Sequence, residues 1–267
     1  MLSDITLGQY FPGNSPVHKM DARVKIIWVL FYIILLFCVP NIPGMLVYCL
    51  FTAVIIFMTG IHIKHIIKGL KPILILLIFT SLINVFMSGG EKVLFSWWIF
   101  TATAEGVIVA FKMVLRLILL VMGTSVLTLT TSPIMLTDGI EKLLSPLKRL
   151  HVPAHEIAMM MTIAMRFIPT ILEETDKILK AQSSRGSDFE TGNIIRRAKA
   201  LIPVLVPLFV SAFRRADDLA VAMECRCYRG GEGRSRLRQM KITSVDLWSI
   251  IPALLLTAAV ILCGWFV

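Results

Sequence analysis

Residues 106–128 read GVIVAFKMVLRLILLVMGTSVLT, and this stretch decides the class of the protein. It exceeds the roughly 20 apolar residues that an α-helix needs to cross a bilayer. Only two ionisable residues, Lys112 and Arg116, interrupt it. To either side, four further apolar stretches approach the same length, at residues 24–39, 43–60, 72–87 and 247–265. The sequence therefore predicts an all-α, polytopic membrane protein with about five transmembrane helices.

The composition of the whole chain supports this class. Of its 267 residues, 57% are hydrophobic and only 16% are charged, whereas a soluble domain carries about 25% charged residues. The net charge of +10 need not indicate nucleic acid, because Lys and Arg concentrate on the cytoplasmic loops of membrane proteins. We therefore expect the lipid bilayer, and no nucleic acid, as a partner.

The distribution of basic residues predicts the orientation in a bacterial inner (cytoplasmic) membrane. The N-terminal stretch, the turn after the second span and the long segment before the last span are rich in Lys and Arg, and the other connections are nearly free of them. The positive-inside rule places the N-terminus and the long segment in the cytoplasm and the C-terminus outside. This predicts a cytoplasmic N-terminal segment, a four-helix transmembrane region, a cytoplasmic coupling-helix region and a C-terminal transmembrane helix, at residues 1–23, 24–130, 131–243 and 244–267.

Two shorter apolar stretches, residues 158–172 and 201–213, lie inside the long basic segment. Both contain proline, the first also contains Arg166, and each is short for a span. If both crossed the membrane, the basic connection between them would lie outside, against the charge rule. We expect long amphipathic helices on the cytoplasmic side, with seven spans as the alternative to five.

The same segment contains a local repeat centred on two arginines. Residues 181–186 read AQSSRG and residues 222–227 read AMECRC. Arg185 and Arg226 each have small neighbours, and glycine follows soon after, which fits a helix that ends in a glycine with an arginine in its last turn. Such an arginine can bind carboxylates or carbonyls of a partner, although a solvated helix end explains either copy alone. The small neighbours are Ser184, Gly186, Cys225 and Cys227.

Catalytic and cofactor motifs are absent from the sequence. There is no G-x-x-x-x-G-K-[ST] motif for ATP phosphates, and Cys225 and Cys227 have no second pair with which to form a zinc site. We therefore expect no enzyme activity, no cofactor and no metal. Lys112 and Arg116 either line a substrate or ion path or pair with a carboxylate or lipid headgroup, or snorkel. The first possibility keeps open a self-contained secondary transporter or channel.

Two regions resemble the transmembrane T component of energy-coupling factor (ECF) transporters. Residues 8–25, GQYFPGNSPVHKMDARVK, resemble the N-terminal signature of that family, with Ala22 where proline is usual. Ser184-Arg185-Gly186 and Cys225-Arg226-Cys227 resemble its paired Ala-Arg-Gly motifs. The second triplet departs from the pattern at Cys227, where the family has glycine.

The resemblance implies a coupling subunit within a larger importer. In this family two ATP-binding-cassette ATPases hydrolyse ATP in the cytoplasm, and a small membrane S component captures a vitamin or metal ion. The T component joins them through coupling helices whose motif arginines contact the ATPases. Carried over by position, these arginines are Arg185 and Arg226. The unequal triplets favour an ATPase heterodimer, and the sequence leaves open which substrate is carried and whether the S components are exchangeable.

Overall fold

The computed structural model describes residues 10–87, 89, 93–97, 100–146, 153–187, 189, 193–230 and 243–265. Their contacts divide the chain into two compact units. The membrane unit, as we call it, comprises residues 8–139 and 239–267, and the hairpin unit comprises residues 140–238. The boundaries predicted from charge, at residues 130/131 and 243/244, stay a prediction.

The membrane unit is built from helices joined by short turns. Its helices are α1 (Pro16–Lys19), α2 (Ala22–Phe37), α3 (Ile42–Thr59), α4 (Ile63–Leu70), α5 (Leu74–Met87), α6 (Ala104–Thr130), α10 (Ser244–Trp248) and α11 (Ile250–Trp265). A 3₁₀ turn at Lys71–Ile73 joins α4 to α5, and α7 (Pro133–Leu144) crosses the boundary between the units. The hairpin unit contains α8 (Ala154–Ser184) and α9 (Ile194–Cys225).

The all-α, polytopic membrane fold predicted from the sequence is confirmed. The described residues also contain one small antiparallel hairpin between α5 and α6, formed by β1 (Val93–Trp97) and β2 (Phe100–Thr103), with Trp97 opposite Phe100. Thr103 then caps α6, because its hydroxyl accepts a hydrogen bond from the N–H of Gly106 at 3.1 Å. The hairpin and the cap bring the start of α6 back against the end of α5.

Five helical segments of the described chain are long and apolar enough to cross a membrane. The number of segments equals the number of predicted spans, but one predicted span is not among them and another segment takes its place. Residues 24–39 correspond to α2, whose 16 residues extend about 24 Å and so fall short of a bilayer core of about 30 Å. The five segments are Ile42–Thr59, Ile63–Met87, Ala104–Thr130, His155–Ser184 and Ser244–Cys263.

The segment His155–Ser184 qualifies because the helix is longer than its apolar stretch. The sequence predicted a short apolar run at residues 158–172, whereas α8 continues for 31 residues. Its best window has a mean hydropathy of 1.2, against 2.1 or 2.2 for the other four segments. Length and apolar composition alone do not show whether a helix crosses the membrane, so the cytoplasmic placement of α8 stays a prediction. Helix α9 is not among the five segments, and its cytoplasmic placement stays a prediction too.

A tyrosine pair lies at the centre of the membrane unit. Tyr32 and Tyr48 are buried with their ring centroids 5.3 Å apart. The Tyr32 hydroxyl donates to the carbonyl of Leu119 at 3.1 Å and shares a 2.8 Å hydrogen bond with Thr52. Gly123 lets α6 approach this ring, because a Cβ built there would lie 2.3 Å from a Tyr32 ring carbon. These contacts fix α2 and α3 against α6.

Candidate coupling site

Helix α8 ends in a Schellman motif at Arg185. The N–H of Ser187 donates to the carbonyl of Gln182 at 3.0 Å, and the N–H of Gly186 donates to the carbonyl of Ser183 at 3.0 Å. Gly186 has a φ of 87°, in the left-handed region that costs a residue with a side chain about 1–2 kcal/mol. Arg185 is thus the C-cap residue of the helix, directly before the chain reverses.

Helix α9 ends in the same motif at Arg226. The N–H of Tyr228 donates to the carbonyl of Met223 at 3.0 Å, and the N–H of Cys227 donates to the carbonyl of Glu224 at 2.8 Å. Cys227 occupies the left-handed position with a φ of 54°, and no other described non-glycine residue has a positive φ. The sequence repeat is therefore also a repeat of backbone geometry, with arginine at the same position in both copies.

The expectation that a glycine ends both helices is right for α8 and wrong for α9. Gly186 stands at the left-handed position of the first copy. In the second copy this position belongs to Cys227, and Gly230, with a φ of 87°, lies three residues further along. The helix ends where its hydrogen bonds are satisfied, and the strain at Cys227 is the energetic cost of that geometry.

Helices α8 and α9 form an antiparallel helical hairpin. The Gln182 amide donates to the carbonyl of Pro203 at 3.5 Å. Further from the connection, Glu174 accepts hydrogen bonds from the Ser211 hydroxyl and from the Arg215 guanidinium, the latter at 2.9 Å. These contacts pair the end of α8 with the start of α9, so the two Schellman motifs lie at opposite ends of the hairpin.

The two arginines are consequently far apart and accessible. Arg185 lies about 16 Å along α8 from Glu174, and Arg226 lies about 22 Å in the opposite direction along α9 from Ser211, at a helical rise of 1.5 Å per residue. The tips of the hairpin are thus roughly 40 Å apart along its length. Both arginines are exposed, and within the described residues neither guanidinium donates a hydrogen bond. Their small neighbours Ser184, Gly186, Cys225 and Cys227 are exposed as well.

The N-terminal signature forms a buried polar junction in the membrane unit. The backbone N–H of Asp21 donates to Asp246 Oδ1 at 2.8 Å, and Asp246 Oδ2 accepts from the N–H and the hydroxyl of Thr243. The Asp21 carboxylate forms an ion pair with Arg23 at 2.7 Å. Burial raises the pKa of Asp21, but hydrogen bonds from Arg23 and the charges of Arg23 and Lys25 outweigh it, so the net pKa lies below the ordinary value.

Lys25 connects three parts of this junction. Its buried ammonium donates to the carbonyl of His18 at 3.3 Å, to the carbonyl of Thr130 at 3.0 Å and to the hydroxyl of Thr131 at 3.2 Å. An ammonium has three donors, so its hydrogen-bonding capacity is filled. The signature therefore joins the start of α2 to the end of α6.

The sequence interpretation missed Asp246, although a local signal was present. Thr243-Ser-Val-Asp246 has the form of a capping box, and both of its reciprocal hydrogen bonds are made. That pattern predicts the start of a helix at Ser244, but not the contact with Asp21, 225 residues away.

Lys112 and Arg116 donate to the turn that follows α2. Lys112 Nζ donates to the carbonyl of Pro40 at 3.0 Å, and Arg116 donates to the carbonyl of Val39 at 2.7 Å. The Arg116 guanidinium also lies over the Phe37 ring, 5.7 Å from its centroid. Their partners among the described residues are thus carbonyls of the turn between α2 and α3, and the expectation that they pair with a carboxylate or lipid headgroup, or snorkel, stays a prediction.

The described residues contain no group of three or more His, Cys, Asp or Glu side chains that could hold a metal ion. The cysteines Cys225 and Cys227 are free thiols there, exposed on either side of Arg226.

Comparison with known proteins identifies the family. The family model described as CbiQ, cobalt transport protein, matches residues 13–237. A protein of Ruminiclostridium cellulolyticum named energy-coupling factor transporter transmembrane protein EcfT is 58% identical over 92% of this chain and 92% of its own length. Proteins of the same name from Clostridium kluyveri and Bacillus subtilis are 54% and 44% identical, over 98% of this chain in each case and 97% and 98% of their own lengths. The chain therefore belongs to the family of energy-coupling factor transporter transmembrane proteins, and the resemblance seen in its sequence is confirmed.

Proposed function

We propose that this protein is the non-catalytic coupling subunit of an ECF-type importer. It transmits ATP hydrolysis by two ABC-type ATPase subunits to a small membrane S component that carries a vitamin or a metal ion. The ATPase activity belongs to the partner subunits. The observation that carries the proposal is the pair of matching Schellman motifs, which present Arg185 and Arg226 at opposite ends of one hairpin.

The geometry supports two similar binding surfaces. Each motif exposes one arginine at the end of a helix and flanks it with small residues, so a groove can close around the guanidinium. The five donors of a guanidinium bind carboxylates and carbonyls in a fixed planar arrangement. Two copies about 40 Å apart suit two separate ATPase subunits. Gly186 and Cys227 differ at matching positions, which favours two different ATPases.

The membrane unit supplies the anchor in this proposal. Its apolar helices hold the chain in the bilayer, with the N-terminus and the hairpin unit in the cytoplasm and the C-terminus outside. The S component contacts the T component within or next to the membrane, and movement of α8 and α9 on ATP binding is passed to it.

The test replaces the arginines and measures both assembly and uptake. Arg185→Glu and Arg226→Glu reverse the charge at each tip, and the double variant is expected to lose uptake and at least about 30-fold in ATPase affinity, since interface hot spots contribute about 2 kcal/mol or more. A single variant has a milder effect, because the second contact remains. ATPase co-purification in mild detergent and ATP-dependent uptake in cells give the two readouts.

The matched control is Arg214→Glu, which makes the same charge change at an exposed position within α9, away from both tips. It is expected to retain the ATPases. Normal uptake by a stably expressed Arg185→Glu, Arg226→Glu double variant would refute the proposal.

A self-contained secondary transporter or channel is the alternative, and it is less well supported. Lys112 and Arg116, the residues that kept it open, donate hydrogen bonds to carbonyls of the turn between α2 and α3. Transport by the purified chain alone in liposomes, without ATP or ATPases, would establish the alternative.

A further inference from the structure

The two tips of the α8–α9 hairpin match in backbone geometry but differ in side-chain chemistry. At the first tip, Ser184 and Gly186 flank the arginine; at the second tip, Cys225 and Cys227 occupy the same two positions. Both cysteines are free and exposed. The second tip therefore carries two thiols where the first carries none.

From this difference we infer that the second tip is a thiol-modification site, at which low-molecular-weight disulfides form mixed disulfides with Cys225 and Cys227 and so block partner binding at Arg226. The inference rests on the proposed function, since it concerns binding of an ATPase at that tip. It would act on the unassembled subunit, whose tips are exposed, and not on a tip already covered by a partner.

The chemistry is ordinary thiol–disulfide exchange. The thiol of Cys225 or Cys227 loses its proton to solvent, and the thiolate sulfur attacks one sulfur of a small disulfide. A protein–small-molecule S–S bond forms, the original S–S bond breaks, and the second half departs with the electron pair as a thiolate that takes a proton from solvent. The protein thiol is oxidised and half of the small disulfide is reduced, so no other oxidant is required.

The charges around the second tip favour anionic disulfides. Among the described residues 222–230, Arg226 and Arg229 are both exposed and outweigh the one negative charge, that of Glu224. A locally positive surface raises the encounter rate with anions. Oxidised glutathione is therefore a suitable probe, and an adduct would place its bulk and its carboxylates beside the guanidinium of Arg226.

An adduct on either thiol would hinder partner binding at Arg226 both sterically and electrostatically. Cys225 is the last residue of α9 and Cys227 is the left-handed residue, so the two lie immediately before and after Arg226. An adduct on either one enlarges a neighbour that must stay small for a groove to close on the arginine. Its carboxylates also compete with the partner for the guanidinium donors.

The experiment treats the purified full chain in detergent with oxidised glutathione before the ATPases are added. We expect mass-spectrometric adducts on the peptide that contains Cys225 and Cys227, and a loss of ATPase affinity of about tenfold, smaller than in the double arginine variant because the contact at Arg185 remains. Dithiothreitol should restore binding. The Cys225→Ala, Cys227→Gly double variant keeps Arg226 and the other three cysteines, and its ATPase binding should be unaffected by the same treatment.

A second variant tests whether a thiol beside Arg185 makes the first tip sensitive to glutathione as well. Ser184→Cys introduces a thiol at the matching position of the first tip, and it should add glutathione sensitivity at Arg185 in the background of the double variant. Full modification of Cys225 and Cys227 with unchanged ATPase binding would overturn the inference, as would a lack of adducts on both residues. If untreated Arg226→Glu also bound the ATPases normally, the proposed function would have failed at this tip instead.

Discussion

A single residue, Cys227, carries backbone strain at one of the two hairpin tips. Gly186 and Cys227 hold the same left-handed position in matching motifs, and only one of them has a side chain. The left-handed conformation is therefore unfavourable for Cys227 at the second tip, whereas it is favourable for Gly186 at the first tip. The difference is about 1–2 kcal/mol and is confined to the last turn of each helix.

Exchanging the residue types at this position should exchange the stabilities of the tips. Cys227→Gly is expected to strengthen the last turn of α9, and Gly186→Ala to weaken that of α8 by about 1 kcal/mol. Hydrogen exchange of the N–H groups of Tyr228 and Ser187 measures this directly, since each closes its motif. Ser184→Ala, two residues before Gly186, is the control and should leave protection unchanged. Equal protection in Gly186→Ala and the unmodified chain would contradict the prediction.

The ion pair of Asp21 predicts how the stability of the folded protein depends on pH. Its pKa in the folded protein lies below the ordinary value of 3.8, so its ion pair with Arg23 stabilises the fold fully above that value and the stabilisation is lost as the pH falls through the lower, folded-state pKa. Asp21→Asn should therefore be less stable than the unmodified protein at neutral pH, and the difference should shrink in acid. Thermal unfolding in detergent at a series of pH values measures it. A difference that grows toward acid would show that the pKa of Asp21 is raised.

At the scale of elements, the turn between α2 and α3 is held by cations from α6. The carbonyls of Val39 and Pro40 accept from Arg116 and Lys112, and hydrogen bonds to charged groups contribute about 1.5–3 kcal/mol. This makes the two cations structural links between helices and explains why an apolar span tolerates them.

Removing Arg116 should therefore lower stability more than it changes transport. Arg116→Ala is expected to lower the free energy of unfolding by about 2 kcal/mol, because it leaves the Val39 carbonyl without its donor and removes the contact with Phe37. Thermal unfolding gives the first readout, and uptake per folded molecule gives the second. A variant that unfolds normally but has lost uptake would assign Arg116 to a substrate path instead.

An element could be predicted from the sequence when the residues that determine it are close together in the chain. The span at residues 106–128 was found almost to its ends in α6, because a long apolar run is a local signal. Long amphipathic helices were predicted for α8 and α9, but their bounds were not, because charged and proline residues interrupt the apolar patterns while the helices continue through Pro169 and Pro203. The junction of Asp21 with Asp246 depends on residues 225 apart and has no local signal.

At the scale of the whole molecule, the described helices confirm a multi-pass membrane protein, and the charge pattern predicts its orientation. Lys64 lies on the α4 surface and is expected in the cytoplasm, whereas Glu105, at the start of α6, is expected outside. The orientation matters for the proposed function, because both hairpin tips must face the compartment that contains ATP.

The orientation can be tested with single cysteines in a background that lacks the five natural ones. A membrane-impermeant maleimide should label Glu105→Cys in intact cells and Lys64→Cys only after the membrane is opened. Labelling of both variants after opening controls for reactivity. The reverse pattern in intact cells would invert the predicted topology and place the α8–α9 tips away from the ATPases.

The contact of Glu174 with Ser211 and Arg215 divides the α8–α9 hairpin into two unequal arms. The arm to Arg185 is about 16 Å long and the arm to Arg226 about 22 Å. If the hairpin turns about this contact as a rigid beam, the same angle carries Arg226 about a third further than Arg185. An importer built on such a beam has a long-stroke side and a short-stroke side, so the two ATPases would have to follow movements of unequal length.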